Sequence, residues 1–204
     1  MLTDMTVKDF VRELASSSPA PGGGSTSALA GALGAALVSM VAGLTAGRKE
    51  FEENEKAVRE MLGKSGVLVE SLIRLVDDDA QAYRRVVAGY RMPKDTGEGK
   101  EKRSAVIQEA LKQAALVPLE TARQCLAVME LASAALDLGN PNVRSDAAVS
   151  LWLACAGLRG ALLNVSVNLE SIKDECFKRE ADREKDVIAE KARSIYENAP
   201  FVRG

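Results

Sequence analysis

ALAGALGAALVSMVAGLTAG, residues 28–47, runs for twenty residues without a charge. Its reading decides the fold. Twenty uncharged residues are long enough to span a bilayer as a helix. More than half of these are Ala or Gly, however, and the few Leu and Val give only a weak drive into lipid. The better reading is a central helix of a helical protein, buried on all sides by other helices or by a second subunit. Composition supports it. Hydrophobic residues make up 47% of the 204-residue chain but aromatics only 4%, so the core is packed with Ala, Leu and Val. Small side chains let helix axes approach closely.

Outward from this stretch the apolar period is helical almost everywhere, and no run of alternating β-branched residues competes with it. Thr6 can cap a first helix with Val7, Phe10, Val11 and Leu14 on one stripe, ending at Ser16-Ser17-Ser18-Pro19. The central helix is expected from about Ser25 to Ala46. A long segment follows from about Phe51 to Tyr90, with Gly63 and Gly66 as weak points. Pro93 and Gly97-Glu98-Gly99 mark a loop. A fourth helix is expected from about Gly99 to Leu138, bent at Pro118. Gly139-Asn140-Pro141-Asn142 is a sharp turn, with Gly139 expected in the left-handed conformation. A fifth helix runs from Ser145 to about Leu169. The last, from about Ile172 to Asn198, is charged, and its Glu180–Arg183, Asp182–Lys185 and Glu190–Arg193 spacings suit a solvated face. The fold expected is all-α: one domain over residues 1–204, an antiparallel bundle of about six helices with long central members.

The formal net charge of -2 and pI near 5.5 argue against a nucleic-acid binder. The first ten residues contain Asp4, Lys8 and Asp9 and do not read as a secretion signal. Cys125, Cys155 and Cys176 are scattered and read as small thiols in a reducing cytoplasm. The chain has no histidine, which removes the commonest metal ligand and the commonest general base together. Neither a metal nor a membrane is expected.

Three features exceed what a plain bundle needs. Pro21-Gly22-Gly23-Gly24-Ser25 leads straight into a helix, where exposed N–H groups can receive an anion or a carbonyl. It lacks the Gly-Lys-Ser/Thr ending of a phosphate loop, and a simple turn with an N-cap also explains it. Asp79 is the second. At ~100° per residue it falls on the face of Val69, Leu72, Val76, Tyr83, Val86 and Tyr90, whereas Asp77 and Asp78 point away. Arg103 shares a face with Val106, Ala110, Ala114 and Val117. Either an Asp79–Arg103 ion pair joins two helices, or both residues serve a buried polar site. The third is a stripe of Asp146, Ser150, Gly157, Asn164 and Asn168 along an otherwise apolar helix. It reads as a ligand groove or as polar contacts between helices.

Taken in order, Pro21-Gly22-Gly23-Gly24-Ser25, Asp79-x-x-Ala82, Met92-Pro93-Lys94, Ala114-x-x-Val117-Pro118-Leu119, Gly139-Asn140-Pro141-Asn142, Ser145-Asp146, Arg159-Gly160-Ala161 and Asn164-Val165 resemble the cyclodeaminase/cyclohydrolase family. That family comprises the C-terminal domain of formiminotransferase-cyclodeaminase and freestanding bacterial methenyltetrahydrofolate cyclohydrolases. The likeness spans roughly residues 5–178, fades in the last helix, and departs at Thr26 and Ser27, which are more polar than the family's small apolar residues.

The resemblance implies a homodimer binding a reduced folate near the subunit interface, with the tetrahydrofolate derivative as substrate. It implies hydrolysis of methenyl- to formyltetrahydrofolate, or closure of formiminotetrahydrofolate with loss of ammonia. The absence of a formiminotransferase domain tilts the expectation toward the cyclohydrolase. A non-catalytic folate- or partner-binding helical dimer is the third reading. Asp79, Lys94 and Asp146 are the candidate catalytic residues. Gly22, Gly23, Gly24, Ser25, Arg103, Asn140, Asn164 and Asn168 are the candidates for substrate binding.

Overall fold

A computed structural model describes residues 1–199. Among these residues there are helices and no strands. The α-helices are α1 (Val7–Leu14), α2 (Gly23–Thr45), α3 (Glu55–Tyr90), α4 (Gly97–Leu138), α5 (Arg144–Glu170) and α6 (Glu175–Asn198). Short 3-10 turns occupy Leu2–Asp4, Lys49–Asn54 and Pro141–Val143.

Cross-helix contacts set the topology. Along α2, Ser25 bonds Asp79 while Ser39 bonds Ser65, so α3 runs against it. On α5, Ser150 donates to the Gly34 carbonyl while Gly157 sits against Ser27, so α5 also opposes α2. Helices α2 to α5 therefore form an up-down-up-down bundle, with α1 at one side and α6 laid across α4 and α5. Ion pairs Lys112–Asp174 (2.7 Å) and Arg123–Glu184 fasten α6, and Asp174 also caps its first turn.

Glycines explain how closely α2 is embraced. A Cβ on Gly157 would lie 2.7 Å from the Ser27 carbonyl oxygen, and one on Gly34 would lie 3.0 Å from that of Ser150. Backbone thus packs on backbone, which larger residues forbid. Burial of α2 is nevertheless one-sided: Leu33, Met40 and Leu44 stay 50%, 40% and 39% exposed. Both α2 and the 141–170 stretch are long and apolar enough to cross a membrane, and about half of each lies buried inside the bundle.

Several local expectations change. Helix α3 starts at Glu55, after a 3-10 turn, and runs unbroken through Gly63 and Gly66. Helix α6 starts at Glu175, and of its three charge spacings Asp182–Lys185 closes as an ion pair, at 2.7 Å. Only Phe10 of the α1 stripe is buried; Val7 and Val11 are exposed. Gly139 is extended (φ -78°), not left-handed. Its requirement for glycine is steric, because a Cβ would lie 2.5 Å from the Ala135 carbonyl oxygen and 2.9 Å from Val41.

Asp77 is the largest correction. It is buried, accepting from the Leu2 N–H and the Thr3 hydroxyl at 2.6 Å each. The N-terminal turn packs on a second face of α3 that a single apolar stripe does not reveal.

Candidate functional site

The site forms where the start of α2 meets the middle of α3. Gly22 is the extended N-cap of α2, so the N–H groups of Gly23 and Gly24 have no partner within the helix. Opposite stands Asp79, whose Oδ2 accepts from the Ser25 hydroxyl at 2.9 Å. A Cβ on Gly24 would overlap the Asp79 carboxylate, so glycine there is what lets the acid lean over the helix start. Burial pushes the Asp79 pKa above its ordinary value of 3.8, and the Ser25 hydroxyl and backbone N–H oppose that rise. No cation contributes.

Arg103 lies elsewhere. Its guanidinium donates to the Tyr90 carbonyl at 3.0 Å and sits 5.7 Å from the Tyr90 ring centre, closing the end of α3. Neither alternative for Asp79 and Arg103 holds among the described residues: they form no ion pair, and Arg103 does not line the cavity that Asp79 faces.

Asp79 opens onto a cleft of about 320 Å³ walled by Gly22, Gly23, Gly24, Tyr83, Val86, Ala114, Asn164 and Asn168, with Pro19 at its rim. Two amides face the glycine turn. Asn164 donates to the Gly160 carbonyl at 2.8 Å, one turn back on α5. Asn168 donates to the Ala114 carbonyl of α4 at 2.7 Å. That carbonyl is free because Pro118, four residues on, has no N–H to give it. With each amide nitrogen so engaged, each side-chain oxygen remains an acceptor. The resulting wall carries one carboxylate, two amide oxygens, two helix-start N–H groups and an apolar floor.

Ser25, a candidate for substrate binding, is fully buried and holds Asp79 from behind without lining the cleft, and four further expected residues lie away from it. Lys94 is exposed on the 91–96 loop and has no side-chain bond among the described residues. Asp146 sits in the first turn of α5, ~27 Å along the helix from Asn164 at 1.5 Å per residue. Asn140 is buried at the far end of α2: its N–H donates to Thr45 Oγ1 at 2.9 Å and its Oδ1 accepts from Asn142. It shapes the turn before α5. Arg103 is the fourth. The stripe on α5 therefore divides, with Ser150 and Gly157 packing helices and Asn164 and Asn168 lining the cleft.

Tyr83 and Val86 belong to the apolar stripe of α3, but Tyr83 is 42% exposed at the cleft. The Asn168–Pro118 link emerges only in the structure, although a proline inside a helix is a visible signal that one carbonyl needs another donor. Cys125 is buried, and its thiol is pushed up to about 12 by burial alone. It packs beside Gly31 and Gly157 and plays no part here. Among the described residues no group of three Cys, Asp or Glu side chains could hold a metal ion.

Residues 6–187 match the formiminotransferase-cyclodeaminase family profile. The chain belongs to this family. It is 44% identical over 197 residues to the methenyltetrahydrofolate cyclohydrolase of Methylorubrum extorquens, covering 97% of this chain and 95% of that one. It is 36% identical to the formimidoyltransferase-cyclodeaminase of Sus scrofa over 92% of this chain but 35% of that protein. The crystal structure of the formiminotetrahydrofolate cyclodeaminase from Thermotoga maritima superposes with a TM-score of 0.87 at 26% identity, covering 97% of this chain and 94% of that one. The family's fold is thus shared across nearly the whole length.

Proposed function

We propose that this family member is a methenyltetrahydrofolate cyclohydrolase, with the cleft at Asp79 as its active site. The observation that carries the reading is a carboxylate of raised pKa beside the open start of α2, with no cation to neutralise it. The methenyl carbon lies between two nitrogens that share a positive charge, and an uncompensated carboxylate in a desolvated wall stabilises such a cation.

Asp79 also stands as general base. Water attacks the methenyl carbon while Asp79 takes one of its protons, giving a neutral tetrahedral carbon bearing a hydroxyl. Asp79 then returns the proton to one ring nitrogen as its bond to the carbon breaks. The hydroxyl proton leaves to solvent and the formyl group remains on the other nitrogen. A pKa raised by burial suits both halves, since the acid must hold a proton and then release it. The amide oxygens of Asn164 and Asn168 can accept from pterin N–H groups, and the Gly23 and Gly24 N–H groups can donate to its carbonyl.

Cyclodeamination is the second reading, supported by the Thermotoga protein, a chain of similar length named for that reaction. Chain length therefore does not separate the two. Parallel absorbance assays with methenyl- and formiminotetrahydrofolate do. Turnover of the methenyl substrate alone is expected, turnover of the formimino substrate alone would reverse the assignment, and inertness with both would favour a binding protein.

A further inference from the structure

Asp79 is the one charged group on its cleft among the described residues, and Tyr83 the one other group there that titrates. The start of α2 brings its glycine turn, α4 brings Ala114, α5 brings Asn164 and Asn168, and the segment before α2 brings Pro19 and Ala20. None of these carries a charge. A half-enclosed carboxylate in such a wall stays ionised only through hydrogen bonds.

Ser25 supplies them. It is the third residue of α2 and fully buried, and its hydroxyl donates to Asp79 Oδ2 at 2.9 Å. Its backbone N–H faces the same carboxylate, and both donors oppose the rise that burial imposes. The N–H belongs to the helix start whatever the side chain is, whereas the hydroxyl depends on this residue alone. The next two hydroxyls turn back onto their own helix: Thr26 donates to the Gly22 carbonyl at 2.8 Å and Ser27 to that of Gly23 at 2.7 Å. Ser25 instead reaches across to α3. No side chain donates to the other oxygen, Oδ1, among the described residues.

We propose that Ser25 is the positioning residue of this site: its hydroxyl anchors Oδ2, keeps the acid ionised in a wall without cations, and leaves Oδ1 to take the proton from water. The proposal rests on the reading of Asp79 as general base. An oxygen that already accepts a hydrogen bond is the less basic of the two, so the proton goes to Oδ1. Water gives it up as its oxygen bonds the methenyl carbon, and Oδ1 passes it to the ring nitrogen as the carbon–nitrogen bond breaks. The Ser25 proton stays on its own oxygen throughout.

The test compares wild type, Ser25→Ala and the control Ser39→Ala. Ser39 makes another hydroxyl bond between α2 and α3, to Ser65 at 2.7 Å, away from the cleft. Losing a donor to the ionised form makes Asp79 a weaker acid. The acid limb of the kcat/KM profile with methenyltetrahydrofolate should therefore move up by about one pH unit in Ser25→Ala, the worth of a hydrogen bond to a charged group. On the plateau kcat should fall ~10-fold with KM unchanged, because the base is misaimed and Ser25 does not line the cleft. Ser25→Cys, similar in size but only a weak donor, should move the limb the same way. Ser39→Ala should match wild type. A limb that stays at the wild-type pH in both Ser25 variants would overturn the proposal, as would the same change in Ser39→Ala. The Asp79 carboxyl carbon, identified by its loss in Asp79→Asn, is titrated by NMR without substrate alongside. A midpoint raised in Ser25→Ala, in a protein inert with methenyltetrahydrofolate, would refute the hydrolase while upholding the hold of Ser25 on Asp79. An unmoved midpoint in an active enzyme would overturn that hold and leave the hydrolase standing.

Discussion

At the scale of the residue, Asp79 and Gly24 make one device. An Asp whose folded pKa is raised binds more protons folded than unfolded, so stability falls as pH rises through the window above 3.8. At neutral pH the buried carboxylate is a net cost to the fold. Asp79→Asn should therefore melt no lower than wild type at pH 7, while turnover falls ~100-fold or more. The acid limb of the wild-type kcat/KM profile, set above pH 3.8 by Asp79, should vanish in the variant. A collapsed thermal transition would instead make Asp79 a structural residue. Gly24→Ala gives an independent check. The added methyl must push the carboxylate aside, a flexible side chain that yields cheaply, so activity should be lost from a folded protein as judged by circular dichroism.

The neighbouring acids behave differently. Asp77 ties the N-terminal turn to α3, and Asp77→Asn should cost ~1–3 kcal/mol in denaturant unfolding with kcat retained. Asp78 is exposed, and Asp78→Asn should change neither measurement. Apolar periodicity puts Asp79 on the face of Tyr83 and Val86, and the structure lines the cleft with all three. It misplaced Asp77, because a 36-residue helix in a bundle is covered on more than one side and the covering turn comes from 74–75 residues away.

At the scale of the element, α4 and α5 are coupled by a missing hydrogen bond. Pro118 leaves the Ala114 carbonyl without its helical donor, and Asn168 supplies one across the interface. Asn168→Ala should destabilise by ~1–3 kcal/mol, the penalty for an orphaned buried carbonyl. In a Pro118→Ala background the helix provides its own N–H, so the same change should cost markedly less. A double-mutant cycle reads the difference directly, and additive effects would refute the coupling. Pro118 thus turns a bundle contact into a way of fixing a cleft side chain.

At the scale of the whole molecule, the bundle leaves Leu33, Met40 and Leu44 uncovered along α2. Their seven- and four-residue spacing makes one stripe, which we expect a second copy of the chain to bury. Sedimentation should give a dimer, and Leu33→Glu/Met40→Glu should shift it to monomer; a wild-type monomer at micromolar concentration would refute this. Activity should survive exhaustive treatment with a metal chelator, since the methenyl carbon is electrophilic without a Lewis acid. Loss reversed by added divalent cation would contradict the mechanism.

Sequence alone determined the helical class, the element order to within a few residues, the central place of α2 and the start of that helix at the Gly22–Ser25 turn. Those properties are written in local chemistry: apolar period, turn residues and the absence of charge. Asn164 and Asn168 were also legible, as amides on an apolar face. Tertiary structure alone decided which candidates meet. Asp146 and Asn140 share motifs with the candidate site yet sit at the opposite end of the bundle, because helices ~35–40 Å long carry motif residues far apart. Arg103 was matched to Asp79 by face, but facing is a property of one helix. Pairing needs the axial register between two, which packing of Gly24 on Asp79 and of Gly89 against Ile107 sets.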